Sequence, residues 1–323
     1  MTAASGRAIK LAVVGAPGTV GGQVVELIGA RDFSYAELKL FATSAGIAAE
    51  VESGERALPV SPLESPADLA PFDIAVLAIP EAEARSVIQA RPGPILIDLS
   101  AATRLSSVTP VVAPGLTPRE RLLALESEKV FSVPYPAAQV IASVLNAIGI
   151  RSGFVAAHVM IAASAEGREA VSKLFNQSVD LLNARLDLGD DETQLAFNVF
   201  PPPNARALAE VLSTQVGALL GSSPELTIQM TRVSAFHGGA LCLFLPPAAD
   251  SGEWAGRLRS APGIILVESD EASGLIDTVG QEGVVVRMAA GKSGASLWCT
   301  YDSARLAALS ALWIAETLSS VAA

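Results

Sequence analysis

Three glycines stand at regular spacing near the start of the chain, in Gly15-Ala16-Pro17-Gly18-Thr19-Val20-Gly21. They follow Leu11-Ala12-Val13-Val14, a short apolar run that reads as a buried strand. After them comes Gln23–Ile28, apolar at helical spacing with no breaker until Gly29. Strand, glycine turn and helix in that order form a phosphate cradle. The first glycine permits the tight turn, and the others let backbone approach closely. The N–H groups of the helix's first turn, which have no partner inside the helix, then face the anion. Candidate ligand contacts are therefore Gly15, Pro17, Gly18, Thr19, Val20 and Gly21. The same spacing also suits a tight turn that carries no ligand.

Other reactive side chains are few. Cys242 and Cys299 are the only cysteines, and His158 and His237 the only histidines. Such a supply gives neither a disulfide framework nor a thiolate or imidazole metal cage, so no metal site is expected. Each cysteine lies in an apolar strand-like run, where a free thiol is usually a small buried hydrophobe. His158, in Ala156-Ala157-His158-Val159, reads as a satisfied core or interface histidine. Arg104 and Arg232 each follow a strand candidate or close one. A guanidinium there suits a carboxylate or phosphate, or serves a structural ion pair.

The elements that must position these groups fall into two textures. Over residues 9–133 short apolar runs alternate with helical patterns. Strands are expected at 38–42, 73–79 and 94–99 after the first, with 111–114 and 129–133 closing the series, and 59–66 as surface loop. Strands alternating with helices predict a doubly wound parallel sheet, α/β of Rossmann type, with ligands at the C-terminal ends of its strands. Thr43, Ser44 and Ser100 fall at such ends and join the candidate cofactor contacts. After Pro134-Tyr135-Pro136 the pattern becomes α+β. Helices are expected over 137–148, 164–185 with Ser164 as N-cap, 205–220 ending at Gly221, and 303–320 capped by Asp302. Strands are expected at 154–163, 226–236, 240–245, 263–267, 283–289 and 295–301 in a mixed or antiparallel sheet. The domain reading is 1–133 plus 302–323, with 134–301 inserted.

Composition excludes several classes. The 323 residues carry 33 acidic and 22 basic side chains, a formal charge of −11, with no run of Lys or Arg. A nucleic-acid or anionic-membrane partner has no basic face to meet. No run of about 18 apolar residues suggests a membrane span. The opening residues show no signal-peptide layout. A reducing, cytoplasmic location is expected.

Taken together, the motifs resemble the aspartate-semialdehyde dehydrogenase family over nearly the whole chain. The glycine turn resembles its G-A-T-G-x-V-G. Ile97-Asp98-Leu99-Ser100-Ala101-Ala102-Thr103-Arg104 is similar to I-D-N-S-S-A-F-R, and Gln194–Pro201 to its A-F-N-x-x-P segment. Arg232-Val233-Ser234-Ala235-Phe236-His237-Gly238 resembles R-V-P-V-x-x-G-H, and Trp298–Glu316 its closing segment. The resemblance implies an NADP-binding domain interrupted by a catalytic and dimerisation domain, a C-terminal helix returning to the first domain, and a homodimer built through the insert. It implies an oxidoreductase of amino-acid biosynthesis that reductively dephosphorylates an acyl phosphate through a cysteine thioester. Arg104 and Arg232 match the residues that bind phosphate and carboxylate.

The departures from that pattern bear on function. Val133-Pro134-Tyr135-Pro136-Ala137 matches the family's N-P-N-C-[ST], so Pro136 takes the nucleophile's place. Gly239 takes the acid/base histidine's place. His237, two residues earlier, would share its face on a strand. Ile161 takes the place of the substrate-orienting glutamine. This resembles a paralogue group within the family that lacks the cysteine, and Ser164-Ala165-Glu166-Gly167 and residues 190–198 are especially similar to it. The segment after the second strand offers no acid for a ribose hydroxyl, which leans toward NADP, with NAD as the other choice. The family's arginine for the 2′-phosphate falls at Thr43, so weak or moderate binding is expected. Three functions stay open: a catalytically degenerate homologue that binds dinucleotide and a small anion, a working oxidoreductase with a relocated nucleophile or another substrate, or a dimeric scaffold.

Overall fold

The computed structural model describes residues 8–31, 33–43, 50–53, 56–100, 102–104, 106, 108–125, 127–185, 193–247, 251–267, 273–291 and 294–320. Its contacts divide the chain into two compact units, residues 1–135 with 307–323, and residues 136–306.

In the first unit β1 (Ile9–Val14) leads through the glycine turn into α1 (Thr19–Ala30). Then follow β2 (Tyr35–Ala42), β3 (Glu50–Ser53), β4 (Arg56–Pro62), β5 (Ile74–Leu77), α2 (Glu81–Ala90), β6 (Ile95–Asp98), α3 (Arg119–Leu123) and β7 (Val130–Ser132). The sheet order is β3-β4-β2-β1-β5-β6-β7, parallel throughout except that β3 runs against β4. Alternation along β1 builds both layers of the core. Leu11 and Val13 pack with Val24, Val25, Leu27 and Ile28 of α1, and Ala12 and Val14 pack with Leu69, Ala84 and Val87 on the opposite face.

The second unit holds α4 (Pro136–Ile148), β8 (Phe154–Ile161), α5 (Arg168–Leu182), β9 (Val199–Phe200), α6 (Ala205–Leu220), β10 (Glu225–Val233) and β11 (Gly239–Leu245). It continues with α7 (Trp254–Ser260), β12 (Ile264–Val267), β13 (Val284–Gly291), β14 (Gly294–Tyr301) and the start of α8 (Ser303–Ser319). The sheet is mixed, in the order β12-β13-β14-β11-β8-β10-β9. α4 packs against α6, α7 and β11, and nine of its thirteen residues are buried, which covers one sheet face. Asp302 caps α8 as its sequence position predicts: Oδ1 accepts from Arg305 N–H at 3.0 Å and Oδ2 from Gly280 N–H at 2.8 Å. From Ala307 onward α8 joins the first unit, where Ala308, Leu312 and Ile314 enter the α1-side core.

Four local expectations are corrected. Residues 59–62 of the expected loop belong to β4, because Leu58 and Val60 alternate inward onto the core. Prolines 59 and 62 sit outside or at the end of its pairing with β2, where no N–H is missed. Residues 111–114 make only a single bridge, Val111 with Ser132, because Pro110 and Pro114 bracket them and Ala113 N–H donates to Thr117 Oγ1 instead. Ser164 does not cap α5. It sits inside a 3-10 turn, Ala163–Glu166, and the helix starts after Gly167 at φ 97°. His237 is not on a strand. It is an exposed residue of the turn between β10 and β11, and Gly238 at φ 88° breaks the alternation toward Gly239.

Candidate functional site

The glycine turn is shaped by close backbone approach. Gly15, at φ 89°, has Ala78 O only 2.2 Å from where a Cβ would lie. Its N–H and that of Ala16 donate to Phe41 O at 2.8 and 3.2 Å, which fixes the turn over the end of β2. A Cβ on Gly21 would lie 2.0 Å from Gly15 O, so α1 can start this close to β1 only with glycine there. Gly18 is the N-cap, with extended backbone and no side-chain cap bond. The helix's internal bonding begins at Gly22 N–H on Gly18 O, so the amides of Thr19, Val20 and Gly21 lie ahead of it. Pro17 and Thr19 are half-buried in the turn, and Val20 packs partly on the core. These features fit a dinucleotide's pyrophosphate at a helix N-terminus.

Thr43 directly follows β2, and its hydroxyl donates to the carboxylate of Glu83, in the first turn of α2. Ser44 lies outside the described residues. Ser100 works within its own loop. Its N–H and Oγ–H donate to Asp98 Oδ1 at 2.8 and 2.6 Å, and its Oγ accepts from Ala102 N–H at 3.0 Å. Asp98 is fully buried and also accepts from the N–H and hydroxyl of Thr103. This carboxylate organises the whole turn after β6 and so places Arg104.

Arg104 lies over the ring of Tyr135, its Cζ 3.3 Å from the centroid, and donates from Nη2 to Leu99 O at 3.0 Å. Its Nε is buried with no hydrogen-bond partner among the described residues. Burial lowers the guanidinium's pKa, while Tyr135, Asp98 and Glu81 pull it back up. Tyr135 is thus the partner of the arginine.

In the second unit Arg232, on β10, forms an ion pair with Glu166 and has the ring of Phe200 5.6 Å from its Cζ. Its Nε too is buried without a hydrogen-bond partner among the described residues. Together with Ile161 and Leu174, the pair lines a cavity of about 20 Å³, room for roughly one water. Pro136 is the first residue of α4, a position whose amide has no helical partner to lose. Gly239 opens β11 opposite Tyr301, and a Cβ there would lie 2.6 Å from the phenol ring. His158 Nε2 meets Thr231 Oγ1 at 2.8 Å. Burial raises the pKa of both thiols, Cys299 the more strongly, and so keeps them protonated.

The first unit therefore gathers the glycine turn, Thr43 and Glu83 at one sheet edge, with Arg104 on Tyr135. The second gathers Arg232, Glu166 and Ile161. Glu83 and Tyr301 were missed as site residues because their partners are distant in sequence, and Asp98 was visible only as part of the Ile97–Arg104 motif. Glu166 was visible only as part of the Ser164–Gly167 motif.

Known proteins resemble this chain over nearly its whole length. Residues 10–124 match the family model described as "Semialdehyde dehydrogenase, NAD binding domain". A USG-1 protein homolog of Azotobacter vinelandii is 33% identical, over 96% of this chain and 98% of its own. The chain belongs to the aspartate-semialdehyde dehydrogenase family. A second USG-1 homolog of the family, from Pseudomonas aeruginosa, is 30% identical over 96% of this chain and 97% of its own. A solved structure described as a probable aspartate-semialdehyde dehydrogenase from Pseudomonas aeruginosa superposes with TM-score 0.86 at 29% identity. It covers 96% of this chain and 98% of that one. The family's Rossmann-type, NAD(P)-binding domain with a second α+β domain is thus present here. No helix among the described residues is long and apolar enough to cross a membrane.

Proposed function

We propose that this protein is a semialdehyde-dehydrogenase-like homologue that binds a nicotinamide dinucleotide at its glycine turn. It takes a small anion at Arg104, and it has lost the family's reductive dephosphorylation of aspartyl phosphate. The observation that carries this reading is the Tyr301 ring in the side-chain space of Gly239. A general base needs hydrogen-bond reach to the proton it moves. The backbone position that resembles the family's histidine carries no side chain, and a Cβ there would lie 2.6 Å from the Tyr301 ring, which would have to shift to admit one. Pro136 adds to this, since a proline ring offers no nucleophile. The two cysteines are poor replacements, because the thiolate is the attacking form and burial holds both as thiols.

The two units map onto the roles the family suggests. The first, with residues 307–323, is the dinucleotide domain, and the second is the dimerisation domain of a homodimer. On β8 and β11 the partly exposed sheet face carries Phe154, Ala156 and Phe244, and Phe244 sits opposite Ala156 in register. Such an apolar face supports pairing with a second copy. The absence of a basic run supports a protein without a nucleic-acid partner, and the two free cysteines support a reducing, cytoplasmic location.

The test is an assay of the purified full-length protein for phosphate-dependent oxidation of aspartate semialdehyde with NAD and NADP, run beside a cofactor titration. Cofactor binding without turnover is the expected result. Turnover that disappears in His237→Ala, Cys242→Ser or Cys299→Ser would establish relocated chemistry instead. The lack of any cofactor binding would leave the dimeric scaffold.

A further inference from the structure

We infer that the dinucleotide site selects the unphosphorylated adenosine ribose, so that this chain takes NAD(H) in preference to NADP(H), with Glu83 as the discriminating residue. The inference rests on the dinucleotide reading proposed above.

In doubly wound sheets the dinucleotide lies across the C-terminal ends of the strands, with its pyrophosphate at the first helix and an acid near the second strand receiving the ribose hydroxyls. The sequence offers no such acid on the strand itself. The fold supplies one from elsewhere. β2 and β5 flank β1 in the sheet, so the residues that follow them meet beside the glycine turn. Gly15 is bonded to Phe41 O, two residues before Thr43, and Ala78 O presses on Gly15 from the β5 side. Across that edge the Thr43 hydroxyl donates to Glu83 Oε2. Glu83 makes no other hydrogen bond or ion pair among the described residues, so Oε1 remains an acceptor.

A free 2′-hydroxyl can donate to that oxygen. A 2′-phosphate cannot donate when ionised, and it carries roughly −1.5 to −2 charge at neutral pH. It would face the carboxylate as a like charge. Residues 44–50, Ser-Ala-Gly-Ile-Ala-Ala-Glu, contain no Lys, Arg or His. On α2 the nearby Arg85 is engaged by Glu81. Thr43, which the sequence suggested as a donor to a 2′-phosphate, already gives its proton to Glu83.

The test is equilibrium binding of NADH and of NADPH to the full-length protein, read by nicotinamide fluorescence. NADH is expected to bind at least about tenfold more tightly than NADPH, from like-charge repulsion at a partly buried site. Glu83→Gln should bring the two affinities together, and Glu83→Arg should reverse their order, with circular dichroism checking the fold of each variant. NADPH binding as tightly as NADH, or a ratio unmoved by Glu83→Gln, overturns the inference while leaving the dinucleotide reading intact. Failure of both cofactors to bind at millimolar concentration overturns that reading, and the inference with it.

Discussion

A Cβ added at Gly15 or at Gly239 would meet a neighbour at under 3 Å, but the two neighbours are of opposite kinds. At Gly15 the obstacle is backbone, Ala78 O, and the positive φ turns the chain so that the first amides of α1 are free for a ligand. At Gly239 the obstacle is the ring of Tyr301, a side chain on the paired strand. The first glycine brings backbone close to backbone, and the second brings a strand close to an aromatic ring. Arg104 and Arg232 show a related contrast. Both keep a buried Nε–H without a hydrogen-bond partner among the described residues, and Arg104 rests on an aromatic ring. Arg232 is neutralised by Glu166 over a cavity the size of a water. The first unit presents backbone amides and a buried guanidinium, while in the second the guanidinium is paired with the protein's own carboxylate.

The largest effect should come from Gly15→Ala. The new methyl would meet the Ala78 carbonyl in a backbone conformation that disfavours any side chain, a cost of about 3 kcal/mol or more. Thermal melting should fall sharply and dinucleotide titration should be flat. An unchanged melt would break the claim that this turn is sterically fixed.

Next is Gly239→His, the change that restores the family's residue type. It should cost about 1–3 kcal/mol through overpacking against Tyr301 and give no dehydrogenase activity, even combined with Pro136→Cys. Pairing it with Tyr301→Ala should recover part of the lost stability. A double-mutant cycle in denaturant that shows no coupling between 239 and 301 would remove the contrast drawn here.

The smallest effect is on pH. Burial raises the pKa of Cys299 and Tyr301 in the folded state. A group whose folded pKa is raised adds stability below its unfolded pKa. That contribution is lost as pH rises past it, because the unfolded chain then ionises first. Stability should therefore decline above about pH 8.5, where free thiols titrate, and further above about pH 10, where phenols do. Cys299→Ala should flatten the first part of that decline in a series of melts.

Much of the frame was legible because periodicity and punctuation are local. The apolar run Leu11–Val14, the uninterrupted helix after Gly21, Gly221 ending α6 and Asp302 starting α8 each depend on residues within a turn or two of one another. β4 was hidden for the converse reason. Pro59, Ser61 and Pro62 read as loop punctuation, and only the pairing with β2 and the packing of Leu58 and Val60 make that stretch a strand.

By itself the sequence determined the two textures, the Rossmann-type first half and the glycine turn, because residue type and short-range spacing decide those; Pro136 and Gly239 stood out only through the family resemblance. The tertiary structure alone decided the partners. Glu83 reaches Thr43 across 40 residues, Glu166 reaches Arg232, and Tyr301 fills the space beside Gly239 from a neighbouring strand. Electrostatic preference and steric room at a site arise from groups brought together by sheet order, and sheet order is a property of long-range pairing that no local pattern encodes.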